Sequence, residues 1–367
     1  MRPCSSLIVT IVIALVATVA HGQPTAITVD TLDDAVDGNV GPGEMSLREA
    51  IDLVADGGRI FIPSTLRGTI GLNPNLDALQ ITRSVTITGP GAEALIIDGQ
   101  ARPGSVFRVD DGDDSVRQEV TLQGLTLASG NDRLGGGIHN RESLSLIDCH
   151  VRDSVASEGG GVYNAGELLL LSVWIFGNRA SFGGGLANAR QGVVHANRST
   201  LSGNSATFGG GIHDQGECLL VNVTISGNRA SGGGGVYQAS SGEVILLSST
   251  VTRNEGIESG GLDSPFFMLT IANTIVAGNT FVAGIEATGA SDVVGEFFGI
   301  QNFIGDVGEA TGFVDNGNNI YLTDLGVPLE DVLAPELANN GGATPTHALP
   351  LFSPIVNRGA NELLAVP

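Results

Sequence analysis

Gly135–Asn140 reads GGGIHN, and Gly159–Asn164 reads GGGVYN, the same six-residue phrase begun 24 residues later. It returns as GGGLAN from Gly183, GGGIHD from Gly209 and GGGVYQ from Gly233, and in worn form at Ser259-Gly260-Gly261. Successive steps are 24, 24, 26, 24 and 26 residues. So regular a return excludes a linker. A phosphate loop is excluded too, because that motif needs a lysine and a following helix. A fixed period of this length marks a solenoid, in which one supersecondary unit stacks on the next.

The residues between the glycine runs decide which solenoid. In the second unit Val162 leads, Leu168 and Leu170 follow, then Val173 and Ile175; the fourth unit repeats these slots with Ile212, Cys218, Leu220, Val223 and Ile225. Two-residue insertions in the third and fifth units fit between the first two runs. Val194, Ala196, Ser199 and Leu201 then fall into register, as do Val244, Leu246, Ser249 and Val251. Alternation with period two over three short runs, separated by turns, means three strands per repeat. The expected fold is therefore all-β, a parallel β-helix with three strands per coil, each coil rising by one strand spacing of about 4.8 Å.

Two polar columns recur with the same beat. Asn178, Asn204, Asn228, Asn254 and Asn279 close the third strands, and Asn140, Asn164, Asn188, Asp214 and Gln238 follow the glycine runs. Stacked amides can hydrogen-bond from coil to coil and satisfy buried turns. Because they return in every coil, a structural ladder is the expected role, ahead of sugar or metal ligation.

The register extends backwards through Val120, Leu122, Leu125 and Leu127 and forwards through Leu269, Ile271, Thr274 and Val276, so the solenoid is expected over 58–285. Before it, 23–57 reads as an N-terminal cap. Ser46 and Glu49 form a capping box, and Leu47, Ala50, Ile51 and Val54 make one apolar face, predicting a short amphipathic helix over 46–56 that Gly57 and Gly58 stop. Arg48 and Glu49 belong to that cap rather than to any catalytic site. After it, 286–367 loses the beat and reads as an irregular C-terminal cap segment in which His347 packs or hydrogen-bonds. At the very start, Arg2, the apolar run Leu7–Ala20 and the small residues around Gly22 read as a cleavable signal peptide over 1–22. The mature chain is then expected to be exported and soluble or surface-associated, with no transmembrane segment.

Acids outnumber bases 39 to 17, for a net charge of −22, and every base is Arg. The lack of lysine rules out Schiff-base and P-loop chemistry. The charge disfavours nucleic acid and anionic lipid. Cys149 and Cys218 occupy different phases of the repeat three units apart, too distant for a disulfide, and read as buried thiols.

Several segments resemble known exported proteins. MSLREAIDLV at Met45–Val54 resembles the segment that names the CSLREA domain, with Met45 in place of its cysteine. The glycine-run units resemble repeats of chlamydial polymorphic outer-membrane proteins, and Leu337–Ala360 resembles the stretch closing many such ectodomains. This resemblance implies a secreted or surface-exposed right-handed parallel β-helix of the pectate-lyase-like superfamily. The hand comes from the resemblance alone.

No catalytic constellation stands out, and none is assigned. A lyase or hydrolase on this fold needs convergent outward carboxylates, with an Arg base or calcium in the lyase case. His139 and His213 lie three coils apart, too far to share a metal. Acids crowd instead into loops, at Asp110, Asp111, Asp113 and Asp114 and at Asp33, Asp34 and Asp37. Either cluster offers oxygen ligands to calcium, the one ion considered; no cofactor is required. The second strand is apolar on both faces at Leu168–Leu171, Cys218–Val221 and Val244–Leu247. Leu169, Leu219 and Ile245 should thus form an outward column, covered by the segment after residue 285 or by a partner. The leading expectation is a non-catalytic adhesin or cell-envelope scaffold whose partner is a carbohydrate or a cell-surface protein. A polysaccharide lyase or glycoside hydrolase is the alternative.

Overall fold

A computed structural model describes residues 23–240, 242–283, 287–307, 309–315, 318–356 and 358–359. The signal-peptide reading over 1–22 lies outside them. Each coil contributes three strands, illustrated by Val162–Asn164, Glu167–Leu171 and Trp174–Phe176, and each pairs in parallel with its equivalent in the next coil. The third strands alone stack into an eleven-stranded sheet from Gly68–Gly71 to Ile320–Tyr321. The fold is an all-β parallel β-solenoid. A rudimentary fourth column of bridges, Arg179–Ser205–Arg229–Glu255 and Phe182–Phe208–Gly232, crosses the corner ahead of the glycines.

Alternation governs the core. Val162, Leu168, Leu170, Val173 and Ile175 are all buried, as are Ile212, Cys218, Leu220, Val223 and Ile225. They join one continuous cluster running from Ile27 to Ile304. Both cysteines are free and buried.

The triple glycine is explained by its surroundings. Gly159 has φ +66°, a conformation L side chains rarely adopt. A Cβ on Gly160 would lie 2.4 Å from the carbonyl oxygen of Gly184, one coil on, and a Cβ on Gly161 would lie 2.7 Å from that of Gly185. In return, the amide of Gly160 donates to Gly183 at 3.0 Å and that of Gly161 to Gly184 at 3.2 Å. The corner closes backbone on backbone, leaving no room for side chains.

The asparagines after the third strand stack as a ladder. Nδ2 of Asn178 donates to Oδ1 of Asn204 at 3.0 Å, and the pattern continues through Asn228, Asn254 and Asn279 to end on Oδ1 of Asp292 at 2.7 Å. Each amide also donates to a carbonyl of the preceding coil, as Asn228 does to Leu201, and each Oδ1 also accepts a backbone amide, as Asn228 does from Asn204. The second ladder runs Asn140, Asn164, Asn188 and Asp214 at 2.8–2.9 Å, and stops there. Asp214 has no amide to pass on, its Oδ2 is buried without a partner, and Gln238 turns to Gly242 and Ser264. Burial pushes the Asp214 carboxyl up to about 7, against the opposing bonds from Asn188 and Gly216.

At the ends the structure departs from the expected boundaries. The helix spans Leu47–Leu53, shorter than 46–56, because Val54 is already extended and Ala55 donates to Pro24. Its capping box is present, with Leu47, Ala50, Ile51 and Val54 buried beside the first-column strand Leu79–Ile81. Arg48 pairs with Asp34 at 2.7 Å, and Glu49 accepts the amides of Asp37 and Gly38, so both tie down the preceding loop. The parallel ladders overrun 58–285 on both sides. Ala26–Thr28 pairs with Gly58–Phe61, while Val293–Ile300 and Glu309–Asp315 continue the stack past 285. Bulges hide this continuation from a periodicity search, since the register shifts between Ser264 and Met268 and between Gly295 and Glu296.

Asp214 makes a pH test of the ladder. Its folded pKa lies above the unfolded value, so its contribution is fully present near pH 4 and is lost as pH rises through about 7. Asp214→Asn is expected to be nearly neutral at pH 4.5 and to stabilise by about 1–3 kcal/mol at pH 8, read as the difference in urea midpoint between variant and wild type. The reverse case is Asn228→Ala, which strips four ladder bonds and should cost at least about 3 kcal/mol at either pH.

Candidate functional site: the outer columns of the coils

Positions facing away from the core form three outer faces, and among the described residues the C-terminal hairpin lies on one of them. Residues 334–348 form a narrow hairpin, closed by reciprocal bonds between Ala338 and Thr346. It lies across the third-strand sheet. Thr344 Oγ1 donates to the carbonyl of Arg198 and meets Thr200 Oγ1 at 3.0 Å. His347 donates from Nδ1 to the Ala334 carbonyl at 2.9 Å and accepts the Ser226 hydroxyl on Nε2 at 2.8 Å. Burial lowers the His347 pKa, as that neutral pattern requires. Val332 and Ile355 seat the segment against Ala277 and Phe303.

This corrects the expectation that the segment covers Leu169, Leu219 and Ile245. The reason lies in side-chain size. The third-strand face carries Thr200, Ser202, Thr224 and Ser226, small hydroxyl residues that let a second backbone approach and hydrogen-bond. Leu169, Leu219 and Ile245 point outward from the second strand; Leu169 is 40% exposed and the other two are half-buried. Their column is mixed rather than purely apolar, since its order is Ser145, Leu169, His195, Leu219, Ile245, Thr270, Phe298. A parallel column beside it holds Ile147, Leu171, Asn197, Val221, Leu247 and Ala272.

The first-strand face has an organisation that the sequence analysis does not reach. Tyr163, Ala187, His213, Tyr237 and Asp263 stack outward in successive coils. Next to them, across the glycine corner, stand Glu158, Phe182, Phe208 and Gly232. The two columns interlock diagonally. Phe182 meets His213 of the following coil at 5.2 Å, and Phe208 meets Tyr237 of the next at 5.0 Å. Within the columns, Phe182 and Phe208 stack at 6.0 Å, and His213 and Tyr237 at 5.8 Å. Burial drives the His213 pKa down to about 4, so it is an uncharged ring at neutral pH. The available signal was Phe immediately before two glycine runs, in ASFGGG and ATFGGG.

The acids at Asp110–Asp114 are already engaged. Asp110 accepts from Arg108 at 2.8 Å and from the Gly112 amide at 3.0 Å, and lies 3.8 Å from Arg141. Burial raises its pKa, but these donors outweigh it and hold the carboxyl below its usual range. Asp111 accepts from the Asp113 amide and Gln118, Asp113 from the Ser115 amide, and both oxygens of Asp114 from Arg141. Glu142 accepts the amides of Asp111 and Gln118. At the other cluster Asp34 is bound by Arg48, and Asp37 accepts the Asn39 amide. Among the described residues, no three His, Cys, Asp or Glu side chains form a set that could hold a metal ion.

No family model and no curated protein matches the chain. Among solved structures it is similar to pectate lyase Pel9A, with 10% identity over 81% of this chain and 78% of that chain, at a TM-score of 0.42. It is also similar to ORF18 of Geobacillus virus E2, with 13% identity over 81% of this chain and 61% of that one, at a TM-score of 0.35. Likeness at this level brings no residue here into correspondence with a site there.

Calcium at Asp110–Asp114 would have to displace arginines and turn amides. Chelation is therefore expected to leave the melting temperature unchanged, and a fall in Tm that added calcium reverses would place an ion among these acids.

Proposed function

We propose that the chain is a non-catalytic scaffold, exported and displayed at the cell surface, whose rigid solenoid presents an outer face to a protein partner. The observation that carries this reading is the second-strand face, left open by a C-terminal hairpin that docks elsewhere. Leu219 and Ile245, with Val221 and Leu247 beside them, make a patch of branched aliphatic side chains, and Leu169 and Leu171 continue the face on the far side of His195 and Asn197. An apolar patch facing water marks a contact surface. Its flatness suits a protein surface better than a polyol. The export-type leader and the resemblance to surface-displayed β-helix proteins of the pectate-lyase-like superfamily support display on the outer membrane or beyond it. Among the described residues no helix is long and apolar enough to cross a membrane.

The enzyme alternative draws on one observation. Asp110, Asp114, Arg108 and Arg141 gather on one flank, the combination a polysaccharide lyase would use. Their electrostatics argue against it. The hydrogen bond to Asp114 raises the Arg141 pKa further, whereas a general base must give up its proton.

Two measurements decide between these readings. Beads coated with the protein should adhere to cell monolayers, and Leu169→Asp with Ile245→Asp should abolish adhesion while leaving Tm within about 2 °C of wild type. Adhesion that survives this double substitution would sink the proposed face. Polyuronates incubated with the protein should give no unsaturated product; product that Asp114→Asn eliminates would establish the lyase instead.

A further inference from the structure

The ring cluster on the first-strand face has the layout of a binding platform. Phe182 is 39% exposed, and Phe208 and Tyr237 are half-buried, so these three rings form a partly open surface over a buried fourth, His213. Gly232 stands where a fifth side chain would, and a Cβ there would come within 3.1 Å of the Phe208 ring and 3.5 Å of Asp263 Oδ2. The ring therefore lies across the glycine towards a carboxyl. Asp263 is itself buried, with its pKa raised by burial, and accepts the Ser259 hydroxyl at 2.5 Å. Residues one to three positions ahead of Phe182, Phe208 and Gly232 line a channel of about 460 Å³, among them Ala180, Ala206 and Ala230 and the hydroxyl residues Thr207 and Ser231. Arg179 and Arg229 border it, and Arg229 is paired with Glu255 at 3.0 Å. The equivalent residues sit one per coil, so channel and platform both run along the solenoid axis.

We propose that this platform and channel bind a linear, uncharged glycan laid along the axis of the solenoid. Sugar rings present flat C–H faces that pack on aromatic rings, while their hydroxyls need donors and acceptors at close range. Both kinds of group are present, with rings on one side and hydroxyls and guanidiniums on the other. The coil spacing, about 4.8 Å, is close to the advance of one sugar residue in an extended chain, so successive residues meet equivalent groups. Charge selects the class of glycan. Glu158 flanks the rings at one end, Glu255 pairs with the Arg229 guanidinium that borders the channel, and the whole chain carries −22, so a polyanion is repelled. This inference rests on reading the chain as a binding scaffold, but it uses a different face from the protein-contact strip.

The test is titration of the full-length protein with cellohexaose, laminarihexaose and maltohexaose, with polygalacturonate as the charged control, followed by calorimetry. At least one neutral hexasaccharide should bind and polygalacturonate should not. Phe182→Ala with Phe208→Ala should weaken binding at least about tenfold, and Tyr237→Ala should weaken it too. Phe208→Tyr should keep it, since the ring is retained. Equal Tm across these variants separates lost contact from lost folding. Absence of binding by all three hexasaccharides, or binding unchanged in the double variant, overturns the inference. Cell adhesion that Leu169→Asp with Ile245→Asp abolishes would leave the scaffold reading standing in that event. Preferential binding of polygalacturonate overturns the charge argument and the proposal with it.

Discussion

The fold depends on how closely its own backbone approaches itself. At each glycine corner the amides of one coil donate to carbonyls of the next, and the nearest of these oxygens lie where a side-chain carbon would sit. At the second and third positions of the run any residue other than glycine would push the coils apart, while the strands on either side hold them at hydrogen-bonding distance; the first position admits a serine, Ser259, in the sixth coil. Side-chain packing can be adjusted elsewhere in the coil; this corner allows no adjustment. The apolar residue after each run, from Ile138 to Val236, is then aimed inward by the geometry of the turn.

Burying backbone turns within a solenoid creates a second demand, met by amides. An asparagine both donates and accepts, so a column of them can hand hydrogen bonds from coil to coil without leaving a group unpaired. A carboxylate can only accept, and the two positions where Asp enters a ladder are both ladder ends. Asp292 closes the long ladder with three donors around it, from Asn279 and the Asp306 amide. Asp214 ends the short one with an oxygen left over. Burial pushes both carboxyls up to about 7. The cost of an imperfect rung thus appears as a displaced titration.

What repeats in every coil was legible in the sequence, and what occurs once was not. The glycine beat, the inward alternation and the Asn178–Asn279 column each leave a periodic trace that one coil confirms for the next. The position of the hairpin leaves none. It depends on Thr200 and Ser226 being small enough to admit another backbone, a property visible only once those residues are known to face outward side by side. The ring platform was obscured for a related reason. Phe182 and His213 belong to different coils and different columns, and only the diagonal offset of stacked coils brings them into contact. The C-terminal end of the solenoid is hidden because bulges at Ser264 and Gly295 break the spacing without breaking the ladder.

The hairpin changes how the molecule must assemble. In a bare solenoid each coil contacts only its neighbours, so terminal coils can open one at a time. Here one segment touches Arg198 and Thr200, Ser226, and the Ala277–Phe303 region together, linking coils that are otherwise connected only through those between them. Its docking surface exists only after those coils have stacked in register. The hairpin therefore closes last, and once closed it must be released before the coils beneath it can separate. A stack whose coils would otherwise meet only their neighbours is thereby tied together across several coils at once.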